Sequence, residues 1–177
     1  SKHPVFSDKA VRQAMALLVD RKGVQEFIYG RGAIATANFL NNPPRFRSPN
    51  TKFEFSIDKA VALLEAAGWK KGSDGIRLLP NGQPAMFVIE HSSEKADEVD
   101  TMTLVVDQWK KIGIKALLKP QTTDNFRLRT TSGEAIMTAY AGVTTAAPTV
   151  DTSPREFTPV MQGGLQWPKW GLYVESK

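Results

Sequence analysis

Cysteine is absent from this chain of 177 residues, and histidine occurs only twice. The lack of cysteine excludes disulfides, thiolate zinc sites and a cysteine nucleophile. His3 and His91 are far apart and lack the spacing of metal ligands. Long apolar runs are missing as well, since no stretch approaches the ~20 residues that a membrane-spanning helix needs. An apolar content of 41% nevertheless suits a single domain with its own core.

The positive charge of the chain is spread out rather than concentrated. The net charge is +5, but basic pairs such as Lys70-Lys71 and Lys110-Lys111 are dispersed and interleaved with acids along helices. Such a pattern is typical of solvated helix faces, so we predict no nucleic-acid partner.

The sequence contains no recognisable catalytic site. Ser92 and Ser93 follow His91, but no nucleophile elbow and no orienting acid accompany them. The stretch of residues 30–35 resembles a relaxed dinucleotide fingerprint, yet a helix precedes it and a loop follows, whereas the mechanism needs a strand and then a helix. We predict no catalytic residue, no metal and no cofactor. A surface imidazole is the favoured role of His91, with a binding contact as the alternative.

Helix starts are marked by small polar residues. Ser7, Ser56 and Ser93 are predicted N-caps, for helices that run to Leu18, over residues 57–67 and over residues 94–112. The second of these helices should bury Ile57, Val61 and Leu64, and the third Val99, Met102, Val106 and Trp109. A further short helix is expected from Asp20 to Tyr29, where Gly30 ends it.

The remaining pattern is that of an α/β sheet. Asn81-Gly82 predicts a hairpin turn between strands at residues 76–79 and 85–90. Strands at 114–119 and 135–140 then alternate with helices, the last of them at 123–131, which implies parallel crossovers. We therefore expect an α/β fold with a mixed, mainly parallel sheet and helices on both faces. Four prolines punctuate residues 141–177, which we predict to be an extended tail packed on the domain.

Several segments in a fixed order resemble a known family. These are Val11-Arg12-Gln13-Ala14 with Asp20-Arg21, the stretch of residues 63–69 followed by Asp74-Gly75-Ile76-Arg77, and Trp109 to Ile114. Together they resemble extracellular solute-binding proteins of family 5, which serve peptide-type ABC importers. The resemblance covers most of residues 4–148.

The resemblance implies a periplasmic-binding type II fold with two lobes joined by a hinge. Solute is trapped between the lobes, and the closed form docks on the membrane permease subunits. Residues 1–177 would be a single lobe, part of the C-terminal domain, in a periplasmic or extracellular protein. Such a lobe would expose an apolar face, so self-association is expected.

The resemblance also implies where solute binds. Peptide-binding members have a tryptophan, then an aspartate that pairs with the peptide ammonium, then a proline in the loop after the last strand. With Pro148 at the proline, this chain has Ala141 and Thr144 at the other two positions, and Asp151 is a candidate substitute. The predicted ligand-binding residues are Asn38, His91, Tyr140, Ala141, Gly142, Thr144, Thr145 and Trp167.

The expected solute is an oligopeptide or a peptide-like molecule. An oligosaccharide or an opine-like solute stays open as the alternative, because the family includes such binders and two peptide-site residues differ here. The rival from another class is a small α/β enzyme, for which the sequence offers no nucleophile with its base.

Overall fold

The computed structural model describes residue 3, residues 5–140, residue 155 and residues 157–177. The predicted Ala141, Gly142, Thr144, Thr145 and Asp151 therefore lie outside the described residues. The chain divides into two compact units. The first comprises Ser1–Ala37, Lys52–Phe87 and Asp100–Leu117, and the second Asn38–Thr51, Val88–Val99 and Leu118–Lys177.

The first unit is built on a helix pair. Helix α1 (Lys9–Leu17) packs against helix α3 (Ile57–Ala66), and the short helix α2 (Arg21–Val24) continues as a π-helical turn over Gln25–Tyr29. Apolar residues at helical spacing on α1 and α3 face each other, so the core collects side chains that are at most 2% exposed. These include Val11, Ala14, Leu18, Ala60, Leu64 and Trp69.

A small antiparallel hairpin completes the elements that lie wholly in the first unit. Strand β1 (Lys70–Lys71) pairs with strand β2 (Arg77–Leu78). The chain then turns at Asn81-Gly82, where Gly82 has a φ of 82° and donates its N–H to the Leu79 carbonyl at 2.8 Å. The predicted turn is confirmed, because this left-handed backbone is one that glycine adopts without a Cβ clash.

The second unit contains the carboxyl-terminal parts of the main strands. Strands β3 (Met86–Ser92), β4 (Lys115–Gln121) and β5 (Met137–Ala139) form a sheet in the order β4-β3-β5. Strand β5 runs parallel to β3, with Glu90 opposite Thr138 and His91 opposite Ala139. Helices α4 (Ala96–Lys110) and α5 (Thr123–Ser132) connect the strands, so the predicted α/β alternation is confirmed.

Helix starts agree with the sequence in part. Ser56 caps α3 as predicted, since its Oγ accepts the Lys59 N–H at 3.3 Å. Ser7 is wrong by one residue, because the Asp8 carboxylate accepts the Ala10 N–H at 2.7 Å. Ser93 is wrong as a cap: α4 begins later, at Ala96, and the Ser93 hydroxyl donates to the Gln121 carbonyl at 3.2 Å.

Two predicted helix faces also need correction. Ile57 is 40% exposed, and α3 buries Ala60 and Leu64. Helix α4 buries Val105 with Trp109, whereas Val99, Met102 and Val106 are half-buried. Only Leu64 and Trp109 of the two predicted faces are fully buried, because the packing of neighbouring elements decides which side of each helix is covered.

The tail is not extended throughout. Residues Pro168–Glu175 form helix α6, which packs against α5. Pro168 does not prevent this helix, because proline is tolerated in the first turn, where the missing N–H would have no partner. Within the described residues, no helix is long and apolar enough to cross a membrane.

Candidate functional site

Three strand ends meet at one edge of the sheet in the second unit. The end of β4 lies beside the end of β3, because the Ser93 N–H and hydroxyl both donate to the Gln121 carbonyl, at 3.1 and 3.2 Å. Tyr140 directly follows β5, whose Ala139 is paired with His91. We call residues 91–95, 121–123 and 140 the carboxyl-end edge. Carboxyl ends of parallel strands are where α/β proteins place ligands.

The side chain of His91 is buried within this edge and does not lie on the surface. It is 2% exposed, so the favoured surface imidazole is wrong. Its Nδ1 is 3.0 Å from the carbonyl oxygen of Ser92. A carbonyl oxygen only accepts, so Nδ1 carries the proton and donates this hydrogen bond.

Hydroxyl and acidic groups connect the loops of the edge. The Oγ of Ser92 and the Oγ1 of Thr123 are 3.0 Å apart. The Thr123 N–H donates to Glu94 Oε1 at 3.3 Å. Hydrogen bonds from the Thr123 side chain and backbone, with a smaller contribution from Arg127, lower the pKa of Glu94. The loop before α4 and the start of α5 are thereby held together.

An exposed tyrosine and an ion pair are groups that a bound molecule could contact here. Tyr140 is 49% exposed. Lys95 and Glu98 form an ion pair at 3.1 Å. The hydrogen bond and the charge of Glu98 raise the pKa of Lys95, and Tyr140 adds a smaller electrostatic effect. The edge therefore offers a ring, a cation, a carboxylate and strand-end backbone groups.

A buried carboxylate network lies directly behind the edge. Glu90 is 5% exposed and meets Arg129 in a two-pronged pair, with Nε–Oε2 at 2.6 Å and Nη2–Oε1 at 2.8 Å. Gln121 also donates to Glu90, and Lys119 lies 3.8 Å from it. The hydrogen bond from Arg129 is the main cause that lowers the pKa of Glu90, against an opposing effect of burial.

Sequence reasoning missed this network. A signal existed, because Glu90 directly follows the apolar run Phe87-Val88-Ile89 in a predicted strand, and buried glutamates are nearly always paired. The partner could not be named, since Arg129 is 39 residues away along the chain.

The structure places Asn38 and Trp167 in local hydrogen bonds within the second unit. The Asn38 side chain accepts the Ser48 N–H at 3.1 Å. Trp167 is half-buried next to α6, and its carbonyl accepts the Gly171 N–H at 2.8 Å. His91 and Tyr140 are thus brought to one edge, whereas these hydrogen bonds of Asn38 and Trp167 are made to Ser48 and Gly171.

The described part of the chain contains no cluster of side chains suited to bind a metal ion. No group of three or more histidine, aspartate and glutamate side chains is placed there to hold an ion. The edge is suited to hydrogen bonding and stacking with a bound molecule.

Comparison with known proteins identifies the family. The model of the family described as "Bacterial extracellular solute-binding proteins, family 5 Middle" matches residues 1–159. The chain belongs to this family. Family 5 proteins are solute-binding proteins by that description, and the predicted family and fold class are confirmed.

Individual family 5 relatives are longer than this chain. The oligopeptide-binding protein AppA of Bacillus subtilis is 34% identical over 120 residues, which is 64% of this chain and 22% of that protein. The chain therefore spans about a fifth of the length of this curated relative.

Solved structures show the same fold. An oligopeptide-binding protein from Thermus thermophilus, complexed with a pentapeptide, is 28% identical with a TM-score of 0.61, over 73% of this chain and 23% of that one. A mannohexaose-bound protein from Thermotoga maritima, described as an oligopeptide ABC transporter component, has a TM-score of 0.73 over 96% of this chain and 31% of that one. Its identity is 21%, so this likeness shows the fold alone.

Proposed function

We propose that this chain is part of the solute-binding component of an ABC importer. Its carboxyl-end edge would form one wall of a site for an oligopeptide or a peptide-like solute. The observation that carries the proposal is the family match, joined to relatives whose own names state oligopeptide binding. The permease subunits as partner and a periplasmic or extracellular location belong to the same proposal.

The geometry of the edge supports a peptide as the solute. Extended peptides are bound chiefly through their main chain, which needs strand-end backbone groups and a few side chains of both signs. Tyr140, Lys95 and Glu98 meet that need, because a phenol stacks on varied side chains while the ion pair offers both a donor and an acceptor. The positions predicted at Ala141, Gly142, Thr144 and Thr145 stay predictions, as does the substitute role of Asp151.

The bound solute can be identified directly in the full-length protein. Mass spectrometry under native conditions, compared with denatured protein, should reveal co-purified molecules as a ladder of peptide masses. A single mass typical of an oligosaccharide or an opine-like solute would contradict the peptide proposal while keeping the importer role. Turnover of that solute, lost on His91→Ala, would instead favour the small α/β enzyme.

Tyr140 is the first residue to test in that full-length protein. We expect Tyr140→Ala to weaken peptide binding about 5- to 30-fold, since a partly exposed aromatic ring typically contributes about 1–2 kcal/mol at a binding surface. Isothermal titration with a peptide found by mass spectrometry measures the change. Tyr173→Ala is the matched control, because Tyr173 is 59% exposed but lies on α6. Equal losses for both variants would argue against the edge.

A further inference from the structure

A groove runs along the helix pair of the first unit. Its volume is about 920 Å³, and its floor is formed by Ala16, Leu17, Ala62 and Leu63 of helices α1 and α3. The Ser56 N–H donates to the Leu17 carbonyl at 3.1 Å, which fixes the segment before α3 against the end of α1. Phe53 lies in this segment, and its half-buried ring lines the groove. We call this space the α1–α3 groove.

The charge of the groove is unbalanced. Three cationic side chains line it, from Arg21, Lys52 and Lys59, against the single carboxylate of Glu54. Lys59 already occupies that carboxylate, with its Nζ 2.7 and 2.9 Å from the two oxygens. Among the residues that the structure describes, Arg21 and Lys52 are left without a carboxylate partner.

Of these side chains, Arg21 has the clearest unused capacity to donate hydrogen bonds. Its guanidinium lies over the Phe53 ring, 5.5 Å from the centroid, and its Nη1 is 3.5 Å from the Ala16 carbonyl oxygen. Burial lowers the pKa of Arg21, because the charged form is partly removed from water. A half-buried guanidinium with one long hydrogen bond has unused donors, and these donors match a carboxylate in a two-pronged geometry.

We propose that the α1–α3 groove binds an acidic peptide segment of a partner protein. An apolar side chain of that segment would cover the floor between Leu17 and Leu63, while flanking carboxylates would meet Arg21 and Lys52. A small inorganic anion would satisfy the cations but leave the apolar floor in water. The volume of the α1–α3 groove lies within the range of about 300–1,000 Å³ that is typical of ligand-binding pockets.

The α1–α3 groove and the carboxyl-end edge are formed by different residues in different units of the chain. The groove residues belong to the first unit, and residues 91–95, 121–123 and 140 belong to the second. Binding at the groove can therefore be tested without a solute at the edge, and Tyr140→Ala should leave it unchanged.

The test uses the 177-residue chain and a defined probe. Isothermal titration with a capped hexapeptide of alternating glutamate and leucine should show one saturable site. Arg21→Gln should weaken binding about fivefold and Lys52→Gln about twofold, since these are partly buried and exposed charge pairs respectively. Lys71→Gln, in an exposed lysine of β1, is the matched control and should have no effect.

Further variants keep the result interpretable. Arg21→Lys retains the charge and should recover part of the affinity if Arg21→Gln loses it, and circular dichroism confirms that each variant is folded. Binding should weaken as salt rises, because exposed charge pairs are screened. The proposal is overturned if the probe does not bind, if a glutamine-leucine peptide binds equally well, or if Lys71→Gln weakens binding as much as Arg21→Gln. Binding of inorganic phosphate or anionic vesicles in place of the peptide would also overturn it.

Discussion

Arg77 shows how one buried cation joins segments that are distant in sequence. It is 5% exposed and donates from Nε to the Ile112 carbonyl at 2.9 Å and from Nη1 to the Trp69 carbonyl at 3.1 Å. Its third contact, with Glu65 at 3.3 Å, is to a side chain that is 60% exposed. The two carbonyls matter most, because they lie at the ends of α3 and α4 and are shielded from water.

We therefore expect Arg77→Met to lower the free energy of unfolding by about 3 kcal/mol, since two buried acceptors would lose their donors. Urea unfolding followed by circular dichroism measures the loss. Glu65→Gln is the control, with an expected change below about 0.5 kcal/mol because the pair is largely exposed. Equal losses for the two variants would show that the salt bridge, and not the carbonyl contacts, stabilises this region.

Glu90 makes stability depend on pH in a defined direction. Hydrogen bonding from Arg129 lowers the pKa of Glu90 from its ordinary value of 4.5. A carboxyl whose pKa is lower in the folded state stabilises the fold above its ordinary pKa, and this contribution is lost as pH falls through the folded pKa. The stabilisation should therefore be complete near neutral pH and decline below about pH 5.

Glu90→Gln tests this prediction. At pH 7 the variant should unfold with about 1–3 kcal/mol less free energy, because hydrogen bonds to a charged group are lost. Between about pH 5 and pH 3 the difference from the unmodified chain should shrink, since protonated glutamate resembles glutamine. Glu134→Gln, which also removes an Arg129 partner but at a side chain that is 62% exposed, is the control. A difference that stays constant with pH would contradict the assignment.

At the scale of the elements, α6 lies in very close contact with the backbone at Met161. A Cβ on Gly171 would lie 2.0 Å from the Met161 carbonyl oxygen, so the helix rests directly on this backbone. The Glu175 carboxylate accepts the Gln162 N–H at 2.8 Å and holds the same two segments together. Helix α6 is therefore a docked element whose position requires glycine at this site.

Gly171→Ala should displace α6 from this support, at a cost of about 1–3 kcal/mol for a forced backbone shift. Amide hydrogen exchange over residues 168–175 should accelerate, and the emission of the neighbouring tryptophans should change. Gly163→Ala is the matched control, since an added Cβ there would meet its nearest atoms at 3.8 Å. Unchanged exchange in Gly171→Ala would mean that the helix is held in another way.

For the whole molecule, exposed apolar side chains predict self-association. In the second unit, Leu128 is 66% exposed, Ile136 70% and Trp170 60%. Apolar surface of this kind favours association in water. Sedimentation velocity from about 1 to 100 μM should therefore show a species whose mass rises with concentration. Leu128→Lys should reduce this rise, whereas Lys71→Gln should not. A single monomeric species throughout would refute the prediction.

Local features of the fold could be predicted because their causes are local. Ser56 caps α3, Asn81-Gly82 forms the turn, and Gly30, Gly68 and Gly113 have positive φ where helical segments end. Each of these depends on residues within a few positions along the chain. The alternation of strands and helices follows from the same short-range patterns.

What only the tertiary structure decided involves partners far apart in sequence. No local pattern relates Glu90 to Arg129 or Arg77 to Ile112, although these residues are in contact. The burial of His91 likewise depends on segments that are distant in sequence. The same holds for the α1–α3 groove, whose cations become unbalanced only when distant helices pack. The sequence by itself thus determined the α/β class, the family resemblance and some of the helix starts. Packing decided which polar groups are buried, because burial depends on what the rest of the chain places over them.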